Sequence, residues 1–267
     1  MSAKCLVNYV GDWLMVKVSI ITVCYNSEYT IRRTLKSVLQ QSYSNIEYII
    51  VDGNSNDKTI DIVKEFVPEF GNKLQIISEP DSGIYDAMNK GIAKASGQLI
   101  GILNSDDYYE EEAVAYMVDA MTEDKYQILY GFTRTVKDGI EYSISRRSHT
   151  FLSEEMIDHP ACFVTKAVYD DFGSFDLQYI SAADYDFMLR MSMIPEVRFY
   201  PVDQLVVNFS MGGMCSTDKA WLDLLKLKKN HGMITEKRYK WELFKDKVYR
   251  VINKMFIEGL QSKKKNG

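Results

Sequence analysis

Several common protein classes are excluded by what this sequence lacks. Its four cysteines, Cys5, Cys24, Cys162 and Cys215, are scattered with no Cys-x-x-Cys pair, a spacing that fits neither a compact disulfide staple nor a zinc site. With no secretory signal pattern ahead of them, they are expected to be reduced thiols of a cytosolic protein. No uncharged apolar run reaches the roughly 18–20 residues needed to span a bilayer. The expectation is a soluble chain, or one that lies on a membrane surface. There is no Gly-x-Gly-x-x-Gly after the first apolar segment and no Gly-x-x-x-x-Gly-Lys-Ser/Thr anywhere, which counts against a dinucleotide oxidoreductase and a P-loop enzyme. An excess of positive charge is missing as well. The net charge is −5, which argues against a dedicated nucleic-acid binder.

What is present is ordinary globular composition: 267 residues, 46% hydrophobic and 26% charged. That length suits one large α/β domain, or one domain with a smaller appendage. The charge is unevenly distributed. From Trp221 to the end there are 13 Lys and Arg against 5 Asp and Glu, whereas the first 220 residues carry 19 against 32. Residues 1–15 have weak apolar character and read as an N-terminal extension, 16–215 as the main domain, and 216–267 as a basic, amphipathic helical region.

Order starts near Lys17. Residues 18–25 (VSIITVCY) form a dense β-branched run suited to a strand buried on both faces. A helical pattern follows from Thr30 to Gln41, with Ile31, Leu35, Val38 and Leu39 on one face. The pattern then predicts strands at 46–52, 74–79 and 98–104, with helices at about 58–66 and 85–95 between them. Such alternation implies parallel pairing with right-handed crossovers, and ligands of such sheets bind beyond the carboxyl ends of the strands. Tyr25-Asn26-Ser27-Glu28, Asp52-Gly53-Asn54 and Asn104-Ser105-Asp106-Asp107 all fall at those ends and should converge. Beyond residue 110 the pattern predicts a helix at 111–121, strands at 127–136 and 140–147, helices near 166–172 and 184–193, paired strands within 197–209, and helix over 218–262. In the last stretch Trp241, Phe244, Val248, Val251, Ile252, Met255 and Leu260 recur at helical spacing.

Carboxylates clustered at a strand end repel one another and are tolerated where solvent or a cation compensates. Asn104-Ser105-Asp106-Asp107 could therefore share a hard divalent ion with a substrate's phosphates, or could cap the helix that follows. Asp52 could accept from a base N–H or a ribose hydroxyl, or cap the next helix. His159, before Pro160, is either a packed structural residue or an acceptor or phosphate contact. Lys90 is either a solvated helix lysine or a ligand contact. Asp186, four residues before Arg190, is the better ion-pair partner for it, which leaves Asp184 free. Phe175 and Tyr185 could line the acceptor side or belong to the core.

Taken together, VSIITVCYNSEYTIRRTLKSVLQQSY, IEYIIVDGNSNDKT, EPDSGIYDAMNKGIAKASGQLIGILNSDD and GSFDLQYISAADYDFMLR resemble glycosyltransferase family 2. These enzymes are inverting, have the GT-A fold and assemble bacterial polysaccharides. The resemblance runs from about Val18 to Gly213. It implies an α/β fold in which a Rossmann-like, nucleotide-binding mixed sheet is flanked by helices, here with a C-terminal helical extension. It also implies that Tyr25, Asn26 and Glu28 line the nucleotide pocket and that Asp52 contacts the base. Asp81, Asn89 and Lys90 would lie near the ribose and diphosphate, with Asn104 and Ser105 beside them. Asp106 matches the last position of the Asp-x-Asp metal motif, for Mn²⁺ or Mg²⁺. Asp184 matches the catalytic base, and Gly212-Gly213 a loop that closes over the donor. Asn104 and Gly53 stand where the family often has aspartate, and Ala183 where glutamate is frequent.

The implied reaction moves a sugar from a nucleotide-diphosphate donor, UDP-linked by resemblance, to a hydroxyl of a glycan or lipid-linked acceptor at the cytoplasmic face of the membrane. No nucleic acid is involved. Other readings are a sugar-nucleotide pyrophosphorylase, which would want a glycine- and arginine-rich loop after the first strand, and a catalytically silent nucleotide or glycan binder. The basic C-terminal segment would either pack as a helix with a solvated lysine face or adsorb to an anionic membrane.

Overall fold

The computed structural model describes residues 16–137, 139–212 and 218–249. The expected N-terminal extension, Gly213, and everything from Arg250 onward lie outside the described residues, including Val251, Ile252, Met255 and Leu260 of the expected basic helix.

A nine-stranded mixed sheet forms the centre of the molecule. Strands β1 (Val18–Cys24), β2 (Ile46–Asp52), β3 (Leu74–Ser78) and β4 (Leu99–Ile102) are parallel, in the order β3-β2-β1-β4. Between them run α1 (Ile31–Leu39), α2 (Thr59–Glu65), α3 (Val67–Phe70) and α4 (Ile84–Lys94). The sheet continues through β8 (Cys162–Thr165), antiparallel to β4, then β6 (Gln127–Lys137), β9 (Arg198–Ser210) and the two-residue β5 (Tyr108–Tyr109). The hairpin strand β7 (Ile140–Ser145) pairs with β6 alone. Helices α5 (Ala113–Asp119), α6 (Lys166–Phe172), α7 (Ala183–Ser192) and α8 (Asp218–Asn230) complete the order, with a further helix, α9, over 236–249.

Successive side chains of a strand point to opposite faces, and β1 and β2 are buried on both. Ile21, Val23, Ile49 and Val51 join Tyr85, Met88 and Ile92 of α4, and with them Ala183, Tyr185 and Phe187 of α7. Val18, Ile20, Ile46, Tyr48 and Ile50 join Ile31, Leu35 and Val38 of α1, together with Tyr109, Met117 and Val207. The sheet thus separates two cores. Gly91 sets the approach of α4, because a Cβ there would lie 2.4 Å from Ile21 Cγ2. Overpacking of this kind typically costs about 1–3 kcal/mol. Gly91→Val is therefore expected to lower unfolding stability by about that amount in a urea titration.

The expected paired strands at 197–209 are a single 13-residue strand, β9. Polar Asp203 and Gln204 suggest a turn, but the irregularity is taken up as register shifts against β6 around Phe132. Gly131 permits that close approach: a Cβ there would meet Val206 Cγ2 at 2.3 Å and Gln204 O at 2.8 Å. Of the four cysteines, Cys24 and Cys162 are described, and both are buried free thiols. Among the described residues no helix is long and apolar enough to cross a membrane.

Candidate functional site

Register brings Cys24, Asp52 and Ser78 side by side at the ends of three parallel strands. The loops after β1 and β2 interlock there. Asn26 N–H donates to Ser55 Oγ (2.8 Å), Asn56 N–H to Asn26 Oδ1 (2.8 Å), Ser27 N–H to Thr59 Oγ1 (2.7 Å) and Glu28 N–H to Asp57 Oδ2 (3.0 Å). Glu28 Oε2 in turn accepts from Lys58 N–H (3.3 Å). Asn26 and Asn54 take positive φ, 49° and 64°, a region asparagine enters more readily than most residues. Tyr25 is 60% exposed, so these loops present its ring to solvent.

Asp52 is fully buried. Its Oδ2 accepts from Ser78 Oγ (2.7 Å) and Ser55 N–H (3.1 Å), and its Oδ1 accepts from Ser55 Oγ. The carboxylate therefore ties the end of β2 to β3 and to its own loop. It is not a helix cap: α2 starts at Thr59, whose N–H and hydroxyl are bound by Asp57 instead. Asp81 Oδ1 accepts from Gly83 N–H (2.9 Å), and a Cβ on Gly53 would lie 2.4 Å from Asp81 Oδ2. A larger residue after Asp52 would therefore require the Asp81 carboxylate to shift.

The loop after β4 is held by α1 and by the end of β9. Thr34 Oγ1 donates to Ser105 O (3.0 Å) and Asp107 O (2.7 Å), and Ser27 and Ser105 hydroxyls are 2.8 Å apart. Arg33 Nη2 donates to Asp106 O (2.7 Å) and Ser210 Oγ (2.8 Å). Asp107, fully buried, accepts from Ser210 N–H (2.8 Å) and Asn104 Nδ2 (3.2 Å). Burial raises the pKa of Asp106, and burial together with the neighbouring Asp106 pushes Asp107 up to about 8. Asn104 Oδ1 is buried and accepts no hydrogen bond from the described residues. The helix-cap alternative finds no support, because α5 begins at Ala113 without a side-chain cap. An oxygen without a donor beside two mutually repelling carboxylates suits a hard divalent cation, which commonly takes one or two protein carboxylates plus phosphate oxygens. Among the described residues no three His, Cys, Asp or Glu side chains gather into a complete metal cage.

Asp184, in the first turn of α7, is half-buried. Its Oδ1 accepts from the Tyr85 hydroxyl (2.8 Å) and from Tyr185 N–H (2.9 Å). Burial pushes its pKa up to about 6, against the pull of those two donors. Arg190 Nε donates to Asp186 Oδ2 (2.7 Å), the pairing expected from the four-residue spacing.

Three of the candidate residues are engaged within the protein. His159 is 4% exposed and lies edge-on to Phe175, and burial lowers its pKa to about 4. It is a packed residue and not a rim contact. Asn89 has both ends of its amide on the backbone of Phe175 (2.9 and 3.1 Å), which anchors the segment ahead of α7. Lys90 Nζ is held by Pro80 O (2.8 Å), Glu79 (3.1 Å) and Asp86 (3.5 Å). Phe175 and Tyr185 are core residues. Tyr85 and Arg33 join the site without having been singled out from the sequence. Tyr85 reads as an ordinary aromatic at a helix start, and nothing local announces a partner 99 residues away.

The glycosyl transferase family 2 profile matches residues 19–223, and the chain belongs to that family. It is a glycosyltransferase with the GT-A fold. An uncharacterized glycosyltransferase of Mycobacterium tuberculosis is 35% identical over 190 residues, 67% of this chain and 70% of the relative. A PGL/p-HBAD biosynthesis glycosyltransferase of Mycobacterium bovis is 29% identical over 220 residues, 80% and 86% of the two chains. Among solved structures, Staphylococcus aureus TarS with UDP-GlcNAc superposes with a TM-score of 0.68 at 20% identity, covering 84% of this chain and 69% of the other. The Pyrobaculum calidifontis mannosyltransferase PcManGT, with GDP-Man and Mn²⁺, gives 0.60 at 17% identity, covering 83% and 65%.

Proposed function

We propose that this enzyme is an inverting, divalent-metal-dependent transferase. It moves a sugar from a UDP-sugar to a hydroxyl of a glycan or lipid-linked glycan in surface polysaccharide or glycolipid assembly. The observation that carries the reading is Asp184: a half-buried carboxylate at a helix start, oriented by Tyr85, with a pKa of about 6, in a fold whose strand ends carry Asp52, Asp81 and Asp106. A general base works best with a pKa near the working pH.

In this reading Tyr25, Asn26, Glu28 and Asp52 form the nucleoside side, with Asp81 and Ser105 toward the ribose and diphosphate. Asn104 and Asp106 would hold Mn²⁺ or Mg²⁺, which when bound neutralises charge on the departing diphosphate. The acceptor hydroxyl gives its proton to Asp184 as its oxygen bonds to the anomeric carbon. On the opposite face the bond to the diphosphate breaks and the nucleoside diphosphate leaves. A single displacement of this geometry inverts the anomeric centre. The uridine choice follows TarS, which was crystallised with UDP-GlcNAc and with UDP. The polysaccharide and glycolipid setting follows relatives named for PGL/p-HBAD biosynthesis and chondroitin synthase. Exposed Trp241 and Phe244, stacked at 5.8 Å on the lysine-bearing α9, support contact with an anionic cytoplasmic membrane surface.

A thermal-shift panel of UDP, GDP, dTDP and CMP, with and without Mn²⁺, tests the donor. A ligand at 100 times its Kd stabilises by about 2.7 kcal/mol. UDP is expected to raise Tm only when Mn²⁺ is present. A response confined to GDP overturns the uridine assignment, and binding without transfer or donor hydrolysis identifies a silent binder.

A further inference from the structure

We infer that α8 is a latch for the helix that carries the base, with Asp223 and His231 as positioning residues for Asp184. The inference rests on the reading of Asp184 as the base.

Four side chains from one stretch reach residues 178–186. Asp223, 8% exposed, accepts the Ser181 backbone N–H through Oδ2 at 2.7 Å. Lys226 Nζ donates to Gln178 O (3.0 Å) and sits over the Tyr179 ring. Asn230 Nδ2 donates to the Tyr179 hydroxyl (2.9 Å), and His231 Nε2 lies 2.8 Å from Asp186 Oδ1. Asp184 stands between Ser181 and Asp186, so the latch grips the chain three residues before it and two after it. The Asp223 contact is made to a backbone N–H at the entry to α7, whose N-terminal flank, Ala182, supplies no side-chain cap. A buried carboxylate spent on a neighbouring segment's main chain fixes where that segment lies. The family match ends at Asp223, so Lys226, Asn230 and His231 lie beyond the matched segment.

The latch has a catalytic consequence because proton transfer is sensitive to ångström-scale placement, and misplacement by about 1 Å costs on the order of 10²-fold. Asp223→Ala removes the acceptor for Ser181 N–H, whereas Asp223→Asn keeps an oxygen able to accept it. The expected result for Asp223→Ala is a kcat on the order of 10–100-fold lower, with donor KM and the UDP–Mn²⁺ thermal shift unchanged. The acid limb of its kcat profile should also move to lower pH, since a loosened segment admits water to a carboxyl whose pKa is raised chiefly by burial. Asp223→Asn should restore most of the rate and the limb. His231→Ala, which leaves the Ser181 contact in place, should give the same pattern more weakly.

Wild-type transfer and an inert Asp184→Asn variant serve as controls. If the wild type transfers nothing, or Asp184→Asn is active, the underlying assignment fails before the latch is judged. If Asp223→Ala and His231→Ala both keep wild-type kcat and pH profile, the latch is overturned. It is equally overturned if Asp223→Ala and Asp223→Asn lose rate, donor binding and stability together, since that is the pattern of a purely structural residue.

Discussion

Asp184→Asn is expected to lower kcat on the order of 10²–10⁴-fold, the usual contribution of a positioned general base, or about 3–5 kcal/mol of transition-state stabilisation. Steady-state kinetics on donor and acceptor would measure it, and UDP–Mn²⁺ binding should be retained because the amide is close in size to the carboxylate it replaces. The same carboxyl predicts the pH dependence. With a pKa of about 6, Asp184 is ionised and able to accept a proton above that value and neutral below it. The wild-type kcat should therefore fall about tenfold per pH unit on the acid side of 6. The Tyr85 hydroxyl donates to the ionised form and holds the pKa down. Tyr85→Phe should accordingly shift the acid limb to higher pH while leaving the plateau rate closer to wild type than Asp184→Asn does. A full rate for Asp184→Asn would assign the proton to another group.

Asp106→Ala carries the second large effect. Removing a group that stabilises developing charge commonly costs on the order of 10²–10³-fold, and here the same change should abolish the Mn²⁺ dependence of UDP binding in a calorimetric titration. Asp107→Asn is the informative companion. Asp107 is fully buried, receives Ser210 N–H and lies against Asn104, and with a pKa pushed up to about 8 it is mostly neutral at pH 7. Asp107→Asn retains an oxygen for Ser210 and matches that neutral form, so metal-dependent binding should survive it. Equal losses for both variants would move the metal contact onto Asp107.

The donor half of the molecule was legible in the sequence because its signals are local. Buried parallel strands appear as unbroken β-branched runs, and the polar clusters at their ends converge whenever the pairing is parallel, so Asp52, Asp106 and the loop at Tyr25 could be placed together without coordinates. The Asp186–Arg190 ion pair was legible too, because the two residues stand one helical turn apart. The remainder depends on contacts between distant segments. Strand β9 reads as a hairpin until Gly131 is seen to admit Val206. His159 beside a proline looks like a corner residue, and only the packing of Phe175 shows it is enclosed. Asn89 and Lys90 carry the right chemistry for a ligand, but Phe175, Glu79 and Asp86 already engage it. In each case a polar side chain had two possible partners, and spacing along the chain could not choose between them.

The two cores divided by the sheet give the enzyme a modular tolerance to change. Asp184 is seated on the α4 side among Tyr85, Ala183 and Tyr185, while the Asp106 loop continues into β5, whose Tyr109 packs on the α1 side with Met117 and Val207. Substitutions on opposite faces share no packing partners, so their stability costs should add rather than compound. Drift in the residues packed around Asp184 can then proceed while the Asp106 loop keeps its shape, and the reverse holds equally.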